Sequence, residues 1–284
     1  MIANGNKLRN PEIPTTLNEY SGGIKTKASA ISWKKHYNRS MNKDLIFSQE
    51  RNISSAFIDS SLKMGIAQTV LMIQDNLTEC FNKLDCDGVI YRERYNAFWV
   101  FTKSKVHFEK RPTWRQKIDA ATFPIDNAGF KTHVNTVLRD KDGSVLITAN
   151  QEACVLDLEK HRPVKITNLN YPKEGFPEAA FNEPFEKFDS DFTDEDFKYE
   201  QVIRSQHIDM SHHMNNIEYI KLALNVFTDD FLLAHEPDSL EVHYTGESKE
   251  GQTLRVYSRT KESSTQIIIK ESERSVFEMK IAFK

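Results

Sequence analysis

Three cysteines, Cys80, Cys86 and Cys154, are all that 284 residues provide. They form no CxxC pair and no zinc-ligand spacing, and so sparse and odd a set does not staple a secreted fold. Reduced thiols in an intracellular protein are expected. Long apolar runs are also missing. Stretches such as Val70-Leu71-Met72-Ile73 stop at about four residues, against the roughly 20 that a membrane helix needs, so no membrane span is expected. No apolar region behind the N-terminus reads as a secretory signal. Excess positive charge is missing as well: a formal net charge of −3 gives no reason to expect nucleic acid as a partner. What remains is an ordinary folded composition, 39% hydrophobic, 11% aromatic and 28% charged. It excludes disorder across the whole chain. The length allows one large domain or two of about 140 residues.

Charge is uneven along the chain. Residues 1–43 carry Lys7, Arg9, Lys25, Lys27, Lys34, Lys35, Arg39 and Lys43 against Glu12 and Glu19. This basic, acid-poor stretch reads as a loosely docked tail of a cytoplasmic protein, or alternatively as an organelle presequence. A second break opens at Tyr171-Pro172. There Glu183, Glu186, Asp189, Asp191, Asp194, Glu195 and Asp196 alternate with Phe176, Phe181, Phe185, Phe188 and Phe192. A free linker would not carry so many aromatics, so this one is expected to pack along the fold. The organisation is therefore a basic tail over 1–44, an N-terminal half over 45–170, an acidic aromatic linker over 171–197 and a C-terminal half over 198–284.

The halves look alike. Each has a strand-like segment, a helix of about 20 residues, then more strands. Gly65, Ile66, Val70, Ile73 and Leu77 follow a helical period and predict a helix from Asp59 to Leu84. Ile217, Ile220, Leu224, Phe227 and Phe231 predict a second from about His213 to Ala234. The strands behind each helix overlay without a gap at a shift of 136 residues: Lys105-Val106-His107-Phe108 falls on Glu241-Val242-His243-Tyr244, and Gln116-Lys117-Ile118 on Gln252-Thr253-Leu254. Further strands are expected over Lys131–Arg139, Val145–Leu156, Thr265–Glu271 and Val276–Phe283, with a hairpin turn at Asp140-Lys141-Asp142-Gly143. One helix followed by an antiparallel meander suggests a sheet wrapped round a central helix. Two copies suggest an α+β pseudo-dimer with a continuous sheet.

The densest polar cluster runs from Arg204 to Asn216, just before the second helix. Asp209 and His213 are four apart and would share a face on a helical turn. A carboxylate is favoured near a helix N-terminus, and the same N–H groups could hold a developing oxyanion. Acyl-group hydrolysis fits this set. The bland alternative is that Asp209 or Ser211 is a helix cap, with Asn215 and Asn216 as local hydrogen-bonders. A metal site from His207, Asp209, His212 and His213 is a third option, without a zinc-type spacing to support it. In the first half the matching position, Asp59, has no histidine near it and reads as a helix cap, so one active site per chain is expected.

Asp209-x-Ser-x-His213-x-Asn215-Asn216-x-x-Tyr219 resembles the Asp-x-Asn-x-His-Val-Asn-Asn-x-x-Tyr signature of the acyl-ACP thioesterases, a double hot-dog family. The resemblance covers about residues 45–284, and the first half joins it around Phe98–Ile118. It implies the tandem hot-dog fold already suggested by the repeat, each half an antiparallel sheet round a central helix. It also implies hydrolysis of fatty acyl-ACP, with Asp209 and His213 as catalytic residues. The family glutamate that follows the histidine by 34 positions falls on Glu247. Ser211 stands where the family has asparagine and, being shorter, offers a weaker contact to the substrate carbonyl. Plant members have a cysteine after the glutamate; here it is Ser248. The second half holds no cysteine, which excludes a cysteine nucleophile there, while Ser248 itself is a minor alternative nucleophile.

The same resemblance implies no cofactor and no metal, and acyl carrier protein as partner. Asn215 and Asn216 are expected at the substrate, with Met64, Gln68 and Met72 walling the acyl pocket. Lys103, Lys105, Lys110, Arg111 and Arg115 would form a docking face for an acidic carrier. A homodimer is compatible with the sequence. The rival readings are an acyl-CoA thioesterase of the same fold, a non-catalytic acyl-binding protein and, less favoured, a hot-dog dehydratase.

Overall fold

The computed structural model describes residues 43–284. The basic tail, and the presequence reading of it, fall outside the described residues. No helix among the described residues is long and apolar enough to cross a membrane.

The N-terminal half carries β1 (Phe47–Asn52), β2 (Ala97–Phe108), β3 (Lys117–Pro124), β4 (Lys131–Asp140), β5 (Val145–Asp157) and the short β6 (Pro163–Val164). The C-terminal half carries β7 (Phe197–Val202), β8 (Pro237–Tyr244), β9 (Thr253–Lys261), β10 (Ser264–Glu271) and β11 (Arg274–Phe283). They join in one antiparallel sheet of order β1-β3-β4-β5-β2-β8-β11-β10-β9-β7, with β6 beside β5. The order is palindromic: β1 answers to β7, β3 to β9, β4 to β10, β5 to β11 and β2 to β8. In the central ladder Lys105 pairs directly with Glu241, its own partner in the 136-residue overlay. The pseudo-two-fold axis therefore passes between these two residues, whose Lys105 Nζ and Glu241 Oε2 lie 3.2 Å apart.

The helices are α1 (Ile66–Lys83), α2 (Gly88–Tyr95), α3 (Asn216–Leu224) and α4 (Asp229–Ala234). Ile66, Val70, Ile73, Leu77 and Phe81 form the buried stripe of α1, at the helical spacing the sequence predicts. Both predicted helices start late. The Asp59 carboxylate accepts the Ser61 N–H at 2.9 Å and the Ser61 hydroxyl. Such a side-chain turn competes with the helix for backbone groups, and α1 begins only at Ile66. The second helix is two helices. The Asn225 N–H closes α3 on Lys221 and Leu222 carbonyls, and Thr228 Oγ1 then caps α4 by accepting the Phe231 N–H at 3.2 Å.

α1 and α3 lie on one face of the sheet. Met64, Val70 and Ile73 pack with Ile217, Ile220 and Phe277 in one core, so the two halves share their hydrophobic interior. Each such fully buried side chain contributes roughly 1.5–3 kcal/mol. A second cluster stacks Trp99 between Phe81 and Tyr91, at 4.4 and 5.2 Å between ring centroids. On α1, burial pushes the Cys80 thiol up to about 12, far from a reactive thiolate.

The acidic linker packs across the sheet as expected. Phe188 stacks on His243 at 4.3 Å, and Phe185 lies between His243 and His133. Its carboxylates meet cations of the sheet: Glu186 with Lys280 at 2.7 Å, Asp189 with Lys261 at 2.7 Å, Asp191 with Arg259 at 3.0 Å. Lys105 Nζ donates to Pro184 O at 3.0 Å. This cover explains why β2 and β5 are buried along continuous runs rather than at alternate residues.

Under the linker, His133 Nδ1 lies 2.6 Å from Asp126 and its Nε2 3.5 Å from Glu152. The Asp126 and Glu152 bonds raise His133 from 6.5 to about 9, against a smaller effect of burial. Burial alone would raise Glu152, but His133, Lys131 and Thr102 outweigh it and hold the carboxyl at about 2. The raised histidine stabilises the fold fully below pH 6.5 and loses that contribution as pH rises through about 9. The depressed glutamate stabilises it above pH 4.5 and loses that contribution as pH falls through about 2. The melting temperature should therefore be highest between about pH 4.5 and 6.5. His133→Asn is expected to flatten its decline between pH 6.5 and 9; thermal denaturation across that range checks this.

Candidate active site

The loop before α3 is closed by the Asp209 N–H donating to His213 O at 3.0 Å and by a bridge between Ile208 and Met214. Asp209 Oδ1 accepts the Ser211 N–H at 2.8 Å and the Ser211 hydroxyl. Asp209 and His213 thus meet across the neck of a tight loop, not along a helical turn. Asn215 is the N-cap of α3, its Oδ1 accepting the Ile217 N–H at 2.8 Å. Its Oδ1 is thus committed to capping, while Asn216 opens the helix half-buried. His207 Nδ1 accepts the Arg204 N–H at 3.1 Å, a turn-forming role rather than a ligand's.

Glu247 arrives from the segment after β8. Its Oε2 lies 3.3 Å from His213 Nε2. The backbone is tied to the loop by the Met214 N–H, which donates to Ser248 O at 2.8 Å. The sequence-predicted Asp209, Ser211, His213 and Glu247 therefore converge at the N-terminus of α3. Ser248 does not join them: its side chain is fully buried beside Tyr219, and the His213 Nε2 that would have to activate it faces Glu247.

The first half holds a counterpart of this loop round Asp59, and its Lys63 and Arg111 members are what the sequence reading missed. At a shift of 150 residues Asp59 falls on Asp209, Ser61 on Ser211, Lys63 on His213 and Met64 on Met214. The Ile58–Met64 bridge repeats the Ile208–Met214 one. At the strand shift of 136, Arg111 falls on Glu247. Arg111 is buried and donates to Asp59, to Ser61 and, through Nε at 3.0 Å, to Glu236. The Arg111 and Lys63 bonds, Arg111 foremost, hold the Glu236 carboxyl at about 2. Ser60 Oγ also donates to Asp229 of α4 at 2.6 Å. The reading of Asp59 as a helix cap is thereby corrected to an ion-pair partner. The overlay that pairs Arg111 with Glu247 was visible in the sequence and was the available signal.

This arrangement takes two of the five cations, Lys105 and Arg111, out of the expected docking face. Lys105 is buried against Glu241 and the linker, and Arg111 against Asp59 and Glu236. Lys103 lies over the Phe185 ring at 5.3 Å. Lys110 and Arg115 stay exposed, with Arg115 over Trp114 at 4.9 Å. Alternation along a strand does not expose a side chain when a second layer covers that face. Of the expected pocket walls, Met64 and Met72 are fully buried in the shared core and Gln68 is half-buried on α1.

Family models decide the class. The acyl-ACP thioesterase N-terminal domain matches residues 44–171 and the C-terminal domain residues 190–282. The chain belongs to the acyl-ACP thioesterase family. It is a thioester hydrolase, and its reaction is release of fatty acid from acyl carrier protein. Solved structures agree on the fold. An acyl-ACP thioesterase from Bacteroides thetaiotaomicron superposes with a TM-score of 0.72 at 16% identity, over 85% of this chain and 98% of that one. A 12:0-ACP thioesterase from Umbellularia californica gives 0.74 at 15% identity, over 84% and 97%. No curated protein matches the sequence. The acyl-ACP thioesterase architecture is the tandem hot-dog expected from the repeat.

Proposed function

We propose that this acyl-ACP thioesterase works through Asp209, His213 and Glu247, with the thioester carbonyl at the N-terminus of α3. The observation that carries the reading is the 3.3 Å approach of His213 Nε2 to Glu247 Oε2 beside that helix start. Asp209 Oδ1 already accepts two donors from Ser211, which suits it to hold the loop that presents His213. Glu247 is about half exposed and keeps an oxygen open to water, which suits it as the base. A water molecule attacks the carbonyl carbon and gives its proton to Glu247. The oxyanion forms at the helix start. There the amides of Met214, Asn215, Ile217 and Glu218 are committed to protein acceptors, which leaves that of Asn216 to receive it. Collapse breaks the C–S bond, and His213 gives a proton to the leaving thiolate; the proton on Glu247 then restores the histidine.

The test is incubation of the purified protein with acyl-ACP and acyl-CoA of matched chain lengths, measuring free fatty acid and free thiol. Release that favours acyl-ACP supports the reading. Release from acyl-CoA alone moves the chain to the rival substrate. No release from either, with acyl chain bound, makes it a binding protein.

A further inference from the structure

Glu247 is the most exposed of the three groups assigned to the reaction, and its side chain is not held by packing. Its backbone is. The Thr245 and Gly246 amides both donate to Val276 O, at 3.0 and 3.1 Å, and Ser248 O accepts from Met214 on the far side. Between these anchors the Glu247 carbonyl has a single side-chain partner: Arg274, at the start of β11, donates to it from Nη2 at 3.0 Å. The guanidinium also lies beside Gly246, the residue before Glu247. A Cβ on Gly246 would sit 3.1 Å from Arg274 Nη1 and 3.3 Å from Val276 Cγ1, so glycine at 246 is what lets the arginine come this close. The nearest carboxylate to Arg274, that of Glu271, is 3.9 Å away, too long for a strong pair. More than half of the Arg274 side chain is in solvent. Stability gains little from such an exposed group, yet its donors point at the peptide that carries the base.

We propose that Arg274 is a positioning residue for the reaction: it fixes the Glu247 peptide so that the carboxylate stays within reach of His213. The inference rests on the catalytic reading of Glu247 given above. Its physical basis is that a displacement of about 1 Å in a reacting group can cost up to 100-fold in rate, while the substrate, bound elsewhere, notices little.

The experiment uses the full chain and acyl-ACP, with Arg274→Ala, Arg274→Lys, Glu247→Gln and the double variant Arg274→Ala/Glu247→Gln. Arg274→Ala is expected to lower kcat about 10-fold with KM within about twofold and an unchanged melting temperature. Arg274→Lys, which keeps the charge but loses the planar fork, should recover only part of it. The double variant should be no slower than Glu247→Gln alone, because the arginine acts only through the glutamate. Gly246→Ala, whose Cβ asks the guanidinium to give by a few tenths of an ångström, should lower kcat by less than Arg274→Ala does. A kcat for Arg274→Ala within twofold of the parent, or a further 10-fold loss in the Glu247→Gln background, overturns the proposal. A Glu247→Gln enzyme as fast as the parent instead overturns the assignment of Glu247, and with it the premise.

Discussion

His213→Ala is expected to lower kcat by on the order of 10²–10⁴-fold, with KM nearly unchanged. In the proposed mechanism the imidazole gives a proton to the departing thiolate, and it is the partner of Glu247 at 3.3 Å. Removing it takes away an interaction used as the C–S bond breaks, so kcat and kcat/KM should fall together. The side chain is only half-buried, and its backbone carbonyl, which closes the loop with the Asp209 N–H, survives the substitution. The melting temperature should stay put. Asp209→Asn separates the roles further. An asparagine Oδ1 can still accept both Ser211 donors, so a loop-holding Asp209 predicts a loss of only about 10-fold. A loss as deep as that of His213→Ala would make Asp209 the base in place of Glu247. Steady-state kinetics on acyl-ACP, with melting curves as control, read both.

Arg111→Ala should do the opposite: spare the chemistry and destabilise the fold. Its guanidinium is 2% exposed and bonds Asp59 and Glu236, which are themselves about one-third exposed, at 32% and 38%. Breaking a buried pair typically costs about 3–5 kcal/mol, and the partial exposure of both carboxylates puts this one near 3. In a domain of this size that corresponds to a melting temperature lower by about 6–12 °C. The Glu236 carboxyl, held at about 2 in the folded protein, contributes stability above pH 4.5 that is lost as pH falls through about 2. The variant should therefore show a shallower acid-side decline than the parent, the parts due to Lys63 on Glu236 and to Glu152 remaining. Below its melting temperature the variant should hydrolyse acyl-ACP at close to the parental rate, since Arg111 belongs to the loop of the non-catalytic half. Calorimetry across pH, paired with initial rates, checks both halves of the statement. A variant that melts normally but has lost activity would turn Arg111 back into a substrate or carrier contact.

The two substitutions touch equivalent loops, and the sequence made one of them legible and not the other. The spacing from Asp209 to His213 and on to Glu247 is local to a loop and the next strand, so it survives as a readable pattern. Both helix starts were misplaced because Ser61 and Ser211 turn the chain back on Asp59 and Asp209, a side-chain bond that a hydrophobic period does not register. The split between α3 and α4 was hidden for a related reason: Phe227 and Phe231 keep the apolar period through the break at Asn225 and Thr228. Arg111 was read as a surface cation because the sequence places Glu236 125 positions away; only the meeting of the two halves brings the pair together. Arg274 lies 27 positions beyond Glu247 across a strand pair, and no local signal joins them. The linker's aromatics did announce that it packs, but not that it covers Lys105.

That covered lysine has a consequence for the origin of the asymmetry. In a true two-fold dimer a residue on the axis faces its own copy, so a buried lysine there would meet a lysine and a buried glutamate a glutamate, each a repulsion between like charges. A symmetric assembly can keep only neutral side chains at that point. Here Lys105 and Glu241 occupy the two equivalent places, and their side chains are 9% and 4% exposed. A chain holding both copies in tandem can let them diverge to opposite sign, turning the one position symmetry forbids to charge into an attraction. The same freedom lets one loop hold a histidine and a glutamate, His213 and Glu247, where its twin holds a lysine and an arginine, Lys63 and Arg111, that tie the halves together.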